Sequence, residues 1–169
     1  MLEVLSPAGS SDALVAAVQN GADAVYLGCG SFNARVNAKN FTLEQLHQWV
    51  SYCHIRGVKV YLTLNTLVLD RELKDVAREI LEASRAGVDA ILVQDLGVCQ
   101  LVRTLAPDVP IHASTQMAVH NLDGVLRAAE MGITRVVLAR ELSHDQIAYI
   151  CKHSPIEVEV FVHGALCMC

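Results

Sequence analysis

The stretch Gly87-Val88-Asp89-Ala90-Ile91-Leu92-Val93-Gln94-Asp95 decides the fold. A glycine suits the left-handed position that ends a helix, so Gly87 marks a helix stop. Ile91-Leu92-Val93 is short and apolar on both sides of the chain, the pattern of a strand buried on both faces of a parallel sheet. Two polar residues, Gln94 and Asp95, follow at the strand end. The same pattern of glycine and apolar-rich segment opens at Gly21 (before Ala22-Asp23-Ala24-Val25), at Gly57 (before Val58-Lys59-Val60) and at Gly132 (before Ile133-Thr134-Arg135-Val136).

Working outward, the intervals between these units carry helix signals. Thr42 with Gln45 and Ser143 with Gln146 have capping-box spacing. Asp70 and Asn121 are suited to cap their helices. Leu73, Val76, Ala77, Ile80 and Leu81 form an apolar helical stripe, opposite Arg71, Lys74, Asp75, Arg78 and Glu82. The predicted strands are Leu2–Leu5, Val25–Leu27, Val60–Leu62, Ile91–Val93, Ile111–Ala113, Val136–Leu138 and Val158–Val162: seven strands and six intervening helices.

Strict alternation of strand and helix leaves an open doubly wound sheet or a closed barrel. The first turn, Ser6-Pro7-Ala8-Gly9-Ser10, is not a dinucleotide fingerprint. Polar residues recur at the carboxyl ends of the strands, as the active face of a barrel requires. The expected fold is therefore α/β, a TIM-type (β/α)8 barrel that is incomplete in this chain, with the eighth βα unit missing. Residues 1–169 form a single barrel domain, expected to be the N-terminal fragment of a longer protein. Unpaired edges on the first and seventh strands are an association liability and a route to oligomers.

Composition sets limits. The chain of 169 residues, 53% of them hydrophobic, is enough for one sizeable core. A net charge of −5 with interspersed signs makes no case for tight non-specific nucleic-acid binding by these residues. The apolar runs are broken well short of the roughly 20 residues a membrane span needs. The N-terminus lacks the basic-then-apolar layout of a signal peptide, so a cytoplasmic location is expected. Six cysteines stand at 29, 53, 99, 151, 167 and 169. In a reducing compartment they are thiols rather than disulfides. Cys53, Cys99 and Cys151 fall on predicted helices and read as small buried hydrophobes.

The strand ends gather the candidate site. Asn33 and Arg35 follow the second strand, Thr63 and Asn65 the third, Gln94 and Asp95 the fourth. His112, Ser114, Thr115 and Gln116 lie at the fifth, Arg140 and Glu141 at the sixth, His163 and Cys167 at the seventh. In a barrel these converge on one mouth. Arg35, Arg140 and His163 suit an anionic group, because guanidinium matches carboxylate and phosphate geometry. Asp95, Glu141 and His163 suit proton handling. Each also has a local reading: Asp95 as a helix cap, Ser114 and Thr115 as turn residues, Arg140 and Glu141 as a mutual pair, His163 as a core histidine. No His-Glu-x-x-His and no Gly-x-Ser-x-Gly occur. None of the four lysines ends the sixth strand, which argues against a Schiff-base aldolase.

Eight ordered motifs carry a family resemblance. They run from Leu5-Ser6-Pro7-Ala8-Gly9 through Gly21-Ala22-Asp23-Ala24-Val25-Tyr26-Leu27-Gly28, Phe32-Asn33-Ala34-Arg35, Thr63-Leu64-Asn65 and Val93-Gln94-Asp95-Leu96-Gly97. They continue with His112-Ala113-Ser114-Thr115-Gln116, Val137-Leu138-Ala139-Arg140-Glu141-Leu142 and Phe161-Val162-His163-Gly164-Ala165-Leu166-Cys167. Over essentially its whole length the chain resembles the collagenase-like peptidase family U32, and most of all its RNA-hydroxylating branch. The resemblance implies hydroxylation of rRNA or tRNA bases, or of quinone precursors in another branch. It implies a 4Fe-4S cluster held by four cysteines, with prephenate as hydroxyl donor for the RNA branches. Cys167 matches the first cysteine of the family's His-Gly-Ala-Leu-Cys motif, and it alone inherits a ligand role. Cys169 and Cys29 fall where relatives carry small residues and inherit none. With one matching cysteine the 169 residues cannot by themselves supply four ligands. The family's older label implies a metal-dependent peptidase, for which His112 and His163 would be the residues to test. A third reading is a non-catalytic truncated barrel or partner subunit.

Overall fold

Local chemistry starts the helices where the sequence announces it. Thr42 and Ser143 each close a capping box, with Gln45 and Gln146. The Asn121 side chain accepts from Gly124 N at 2.7 Å. Asp95 accepts from Gly97 N and Val98 N at 2.7 and 3.1 Å. Gly87 closes its helix at φ 81°, in the left-handed region that costs a glycine least. Asp70 departs from expectation: it opens a short 3-10 turn, Asp70–Glu72, and Glu72 takes the capping role by accepting from Leu69 N at 2.8 Å.

The computed structural model describes residues 2–34 and 40–164. Among them seven parallel strands pair in sequence order: β1 (Leu5–Pro7), β2 (Ala24–Leu27), β3 (Lys59–Leu64), β4 (Ala90–Val93), β5 (Ile111–Ala113), β6 (Arg135–Val137) and β7 (Glu157–Glu159). Six helices alternate with them: α1 (Ser11–Gln19), α2 (Leu43–His54), α3 (Leu73–Ala86), α4 (Leu96–Leu105), α5 (Leu122–Glu130) and α6 (His144–His153). The result is a curled half-barrel, as the sequence predicts. No helix of the described residues is long and apolar enough to cross a membrane.

Alternating side chains divide the strands into two faces. Leu27, Val60, Leu62, Ile91, Val93 and Val136 point outward into the main core and meet Leu46, Val50, Ile80, Val102 and Val125 of the helices. Each such side chain contributes about 1.5–3 kcal/mol on burial. Tyr61, Leu92 and Val137 point inward with Ala24 and Ala90, and Leu5, Tyr26 and Phe161 pack against them.

The terminal strands sit differently from expectation. β1 begins at Leu5 rather than Leu2, because the ladder sets Leu5 opposite Ala24. This leaves Leu2 and Val4 exposed and lets Glu3 turn into the barrel. β7 spans Glu157–Glu159, earlier than the apolar run suggested. β6 supplies partners only up to Glu159, and Ala139 N turns away to donate to Val119 O.

Three carboxylates and two cations close the amino-terminal end of the lumen. Arg135, 9% exposed, donates to Glu3 Oε1 at 2.6 Å, pairs with Glu157 at 2.6 Å and lies 3.5 Å from Glu159. Lys59 Nζ and Tyr61 Oη also donate to Glu3, each at 2.8 Å. Burial would push the Glu3 carboxyl up, but the hydrogen bonds from Arg135, Lys59 and Tyr61 outweigh it and bring it down to about 2. Since this folded value lies below the unfolded one, Glu3 stabilises the fold above about pH 4.5 and loses that contribution as pH falls toward 2.

Glu79 on α3 has the opposite sign. It is 3% exposed, its Oε1 has no hydrogen-bond partner among the described residues, and burial raises its carboxyl to about 8 against a lowering by Arg78. The folded chain therefore prefers the protonated acid, and stability is lost as pH rises from about 4.5 through 8.

Two outcomes are expected in urea unfolding. Arg135→Ala strands buried carboxylates and should cost about 3 kcal/mol or more at pH 7. Glu79→Gln should flatten the decline between pH 5 and 8, so that its stability relative to wild type grows with pH. A decline of the same slope in Glu79→Gln would show that another group causes it.

Candidate functional site

At the carboxyl ends of the strands lies a cavity of about 100 Å3. Its wall includes Asn33, Asn40, Asn65 and Gln116, the hydroxyls of Thr63, Ser114 and Thr115, the rings of Tyr26 and Phe161, and the charges of Arg140 and Glu159. Small residues make the room: Ala8, Gly9 and Gly28 line it too. Gly28 is required by the fit, since a Cβ there would lie 2.5 Å from Asn33 Cγ.

Asn65 braces the mouth. Its Oδ1 accepts from Ala34 N at 3.1 Å, and its Nδ2 donates to Ser114 Oγ at 3.1 Å. One side chain on the loop after β3 thus joins the loops after β2 and β5. Ser114 Oγ also accepts from Gln116 N at 3.4 Å, starting the 3-10 turn Thr115–Met117. Thr63 donates to Leu27 O at 3.1 Å, and Asn33 Nδ2 to Gly30 O at 3.2 Å. The Arg140 guanidinium lies over the Phe161 ring, 4.1 Å from its centroid, which flattens it against one wall. Gln116 Oε1 is buried without a hydrogen-bond partner among the described residues, an acceptor available to a donor.

Of the residues picked from sequence, Asn33, Asn65, Ser114, Gln116 and Arg140 meet at this cavity. Others do not. His112 is buried lower in the lumen, its ring edge-on to Tyr61 with centroids 4.9 Å apart. Burial, reinforced by Arg135, pushes it down to about 3, so its ring is neutral at physiological pH. Asp95 is committed as a helix cap, its second oxygen accepting from Val68 N at 3.3 Å. Gln94 is half-buried outside the wall, and Glu141 is exposed. His163 is exposed and borders a second cavity of about 240 Å3, which shares Arg140 and Phe161 with the first. Arg35 and Cys167 lie outside the described residues.

Glu159 is the residue that sequence reasoning missed. The alternation Glu157-Val158-Glu159-Val160-Phe161 was its signal, since period two puts the two glutamates and the phenylalanine on one face. Burial raises the Glu159 carboxyl, against the lowering influence of Arg135.

The described cysteines do not fit an iron–sulfur cluster. Cys29, Cys53 and Cys99 are buried and Cys151 is exposed. Burial pushes Cys29 up to about 12 and Cys53 to about 11, which keeps them as thiols rather than ligating thiolates. Among the described residues no three His, Cys, Asp or Glu side chains gather as a metal site.

Comparison with known proteins places the fold and mouth in context. The model of peptidase family U32 matches residues 9–169, and the chain belongs to that family. It is 41% identical over 167 residues to a 23S rRNA 5-hydroxycytidine synthase of Escherichia coli, covering 99% of this chain and 25% of that protein. It is 40% identical over 167 residues to tRNA hydroxylation protein P of the same organism, covering 98% and 37%. A collagenase of Porphyromonas gingivalis is 37% identical over 178 residues, covering 98% and 42%. The chain thus spans between a quarter and about two-fifths of these relatives. A solved structure of a U32 peptidase superposes with a TM-score of 0.76 at 16% identity, covering 95% of this chain and 68% of that one.

Asn65→Ala should leave the sheet folded, at a cost of about 1 kcal/mol for the lost hydrogen bonds. The Ala34 amide should exchange with solvent markedly faster. Unchanged exchange would show that Asn65 does not brace the loop.

Proposed function

We propose that this chain forms the substrate-binding half-barrel of an RNA-base hydroxylase. One observation carries the reading: the mouth cavity combines four carboxamides with two aromatic rings. Carboxamides present both a donor and an acceptor, as the edge of a nucleobase does, and unstacked bases are commonly held between aromatic or guanidinium planes. A base taken out of its stack reaches such a pocket where a duplex cannot. The names of the rRNA and tRNA relatives support the same choice.

Within this reading Arg140, flattened on Phe161, binds an anionic group: a phosphate of the RNA or the carboxylate of a hydroxyl donor such as prephenate. Asn33, Asn65 and Gln116 read the base edge. Tyr26 and Phe161 exclude water and offer ring faces. The iron–sulfur cluster enters through Cys167 alone, and the described residues supply no step to it. The peptidase reading loses ground because His112 is buried in the lumen and His163 stands exposed at a different cavity, so the two histidines do not meet.

The test is a strain lacking the parent gene, complemented with the longest form of the protein. Mass spectrometry of digested rRNA and tRNA should show one hydroxylated pyrimidine lost on deletion and restored on complementation. Cys167→Ala should abolish restoration and lower the iron and sulfide content. Arg140→Ala should reduce restoration at unchanged iron content. RNA identical in the two strains would sink the reading.

A further inference from the structure

Glu159 stands where the closing network of the lumen meets the mouth cavity. It is the one carboxylate among the described residues that line that cavity. The alternatives are committed elsewhere: Asp95 caps α4, Glu141 faces solvent, and Glu3 and Glu157 hold Arg135 at 2.6 Å each. Glu159 is held least, at 3.5 Å from the same guanidinium. Its side chain is 18% exposed, so it is sheltered yet reachable from the cavity.

Charge explains why this group is the one able to exchange a proton. Glu3, Glu157 and Glu159 share Arg135, and Lys59 pairs with Glu3, three carboxylates against two cations. Tyr61 adds a hydroxyl from β3, and His112 on β5 stays neutral. The most weakly held carboxylate, Glu159, is the one whose uptake of a proton brings the cluster into balance. Arg140, in the same cavity wall, supplies a positive charge beside an anion that forms in the cavity.

We propose that Glu159 is the general base of the mouth cavity, removing a proton from the substrate bound against Arg140. The inference rests on the reading of the cavity as the hydroxylation site and names the residue that handles the proton there. The step is a proton transfer alone. A substrate X–H bond breaks, its electron pair stays on the substrate, and an O–H bond forms on a Glu159 carboxylate oxygen. Exchange of a ring hydrogen for hydroxyl is a two-electron oxidation: the hydroxyl-donor co-substrate supplies it, and Glu159 accounts only for the proton that leaves. A raised carboxyl suits a base working near neutral pH.

Two measurements test it. In this chain, carbon-13 carboxyl resonances of labelled glutamate are titrated, with Glu159→Asp used to assign the signal. The expected result is a Glu159 midpoint above the ordinary carboxylate range. A midpoint within that range overturns the proposal, whatever the substrate. In the complementation assay and with purified full-length protein, Glu159→Gln should slow hydroxylation at least about 100-fold with RNA binding kept. Glu159→Asp should retain part of the rate, with the acidic limb of its pH profile displaced. Glu159→Gln within twofold of an active wild type overturns the proposal and leaves the hydroxylase reading standing. A wild type that modifies no RNA removes that reading and the base role with it.

Discussion

The curl of the sheet depends on one buried guanidinium. β1 and β7 are not paired with each other, yet Arg135 reaches Glu3, just ahead of β1, and both glutamates of β7. Bidentate geometry lets one side chain hold partners from opposite margins of the sheet. Tyr61 completes the arrangement by bonding Glu3 while its ring lies beneath Arg135 at 5.3 Å. Without that clamp, seven parallel strands could twist open as a doubly wound sheet does. With it, the strand ends converge and the mouth exists.

The two ends of the lumen consequently differ in character. The amino-terminal end is filled with ion pairs, and Glu3 is held low there because Arg135, Lys59 and Tyr61 donate to it. The carboxyl-terminal end is built mainly from amides and hydroxyls, with Arg140 and Glu159 as its charges and Asn65 fixing the distance between loops. This is the division expected of barrels, in which stability concentrates at one face and chemistry at the other. Glu159 belongs to both, which is why its setting is unlike that of any other carboxylate in the chain.

Much of this was legible in the sequence, and the boundary is physical. Gly87, Thr42 and Ser143 act through neighbours a few residues away, so their roles can be read from a short window. The convergence of Asn33, Asn65, Ser114, Gln116 and Arg140 follows from the strand-end rule once the barrel is inferred. Arg135 could not be read so: its partners lie 22 and 132 residues away, and its site looks like any strand start. His112 was misleading for the same reason, since one residue along a strand separates a mouth from a lumen. Asp95 satisfied both a local and a functional description, and only its hydrogen bonds decided for the cap. Glu79 hid within a good amphipathic helix, where burial depends on how the neighbouring loop crosses it.

The order of the strands has a consequence for how the chain acquires its shape. Because β1 to β7 are neighbours in space exactly as they are along the chain, each new βα unit finds its partner already present as it leaves the ribosome. Almost every loop to be closed is short, and the entropy of closure is met in small instalments. The Glu3–Arg135 contact is the exception, spanning 132 residues. Vectorial synthesis can therefore lay down a growing ribbon that stays open until the sixth strand arrives, when a single ion pair bends it into a vessel.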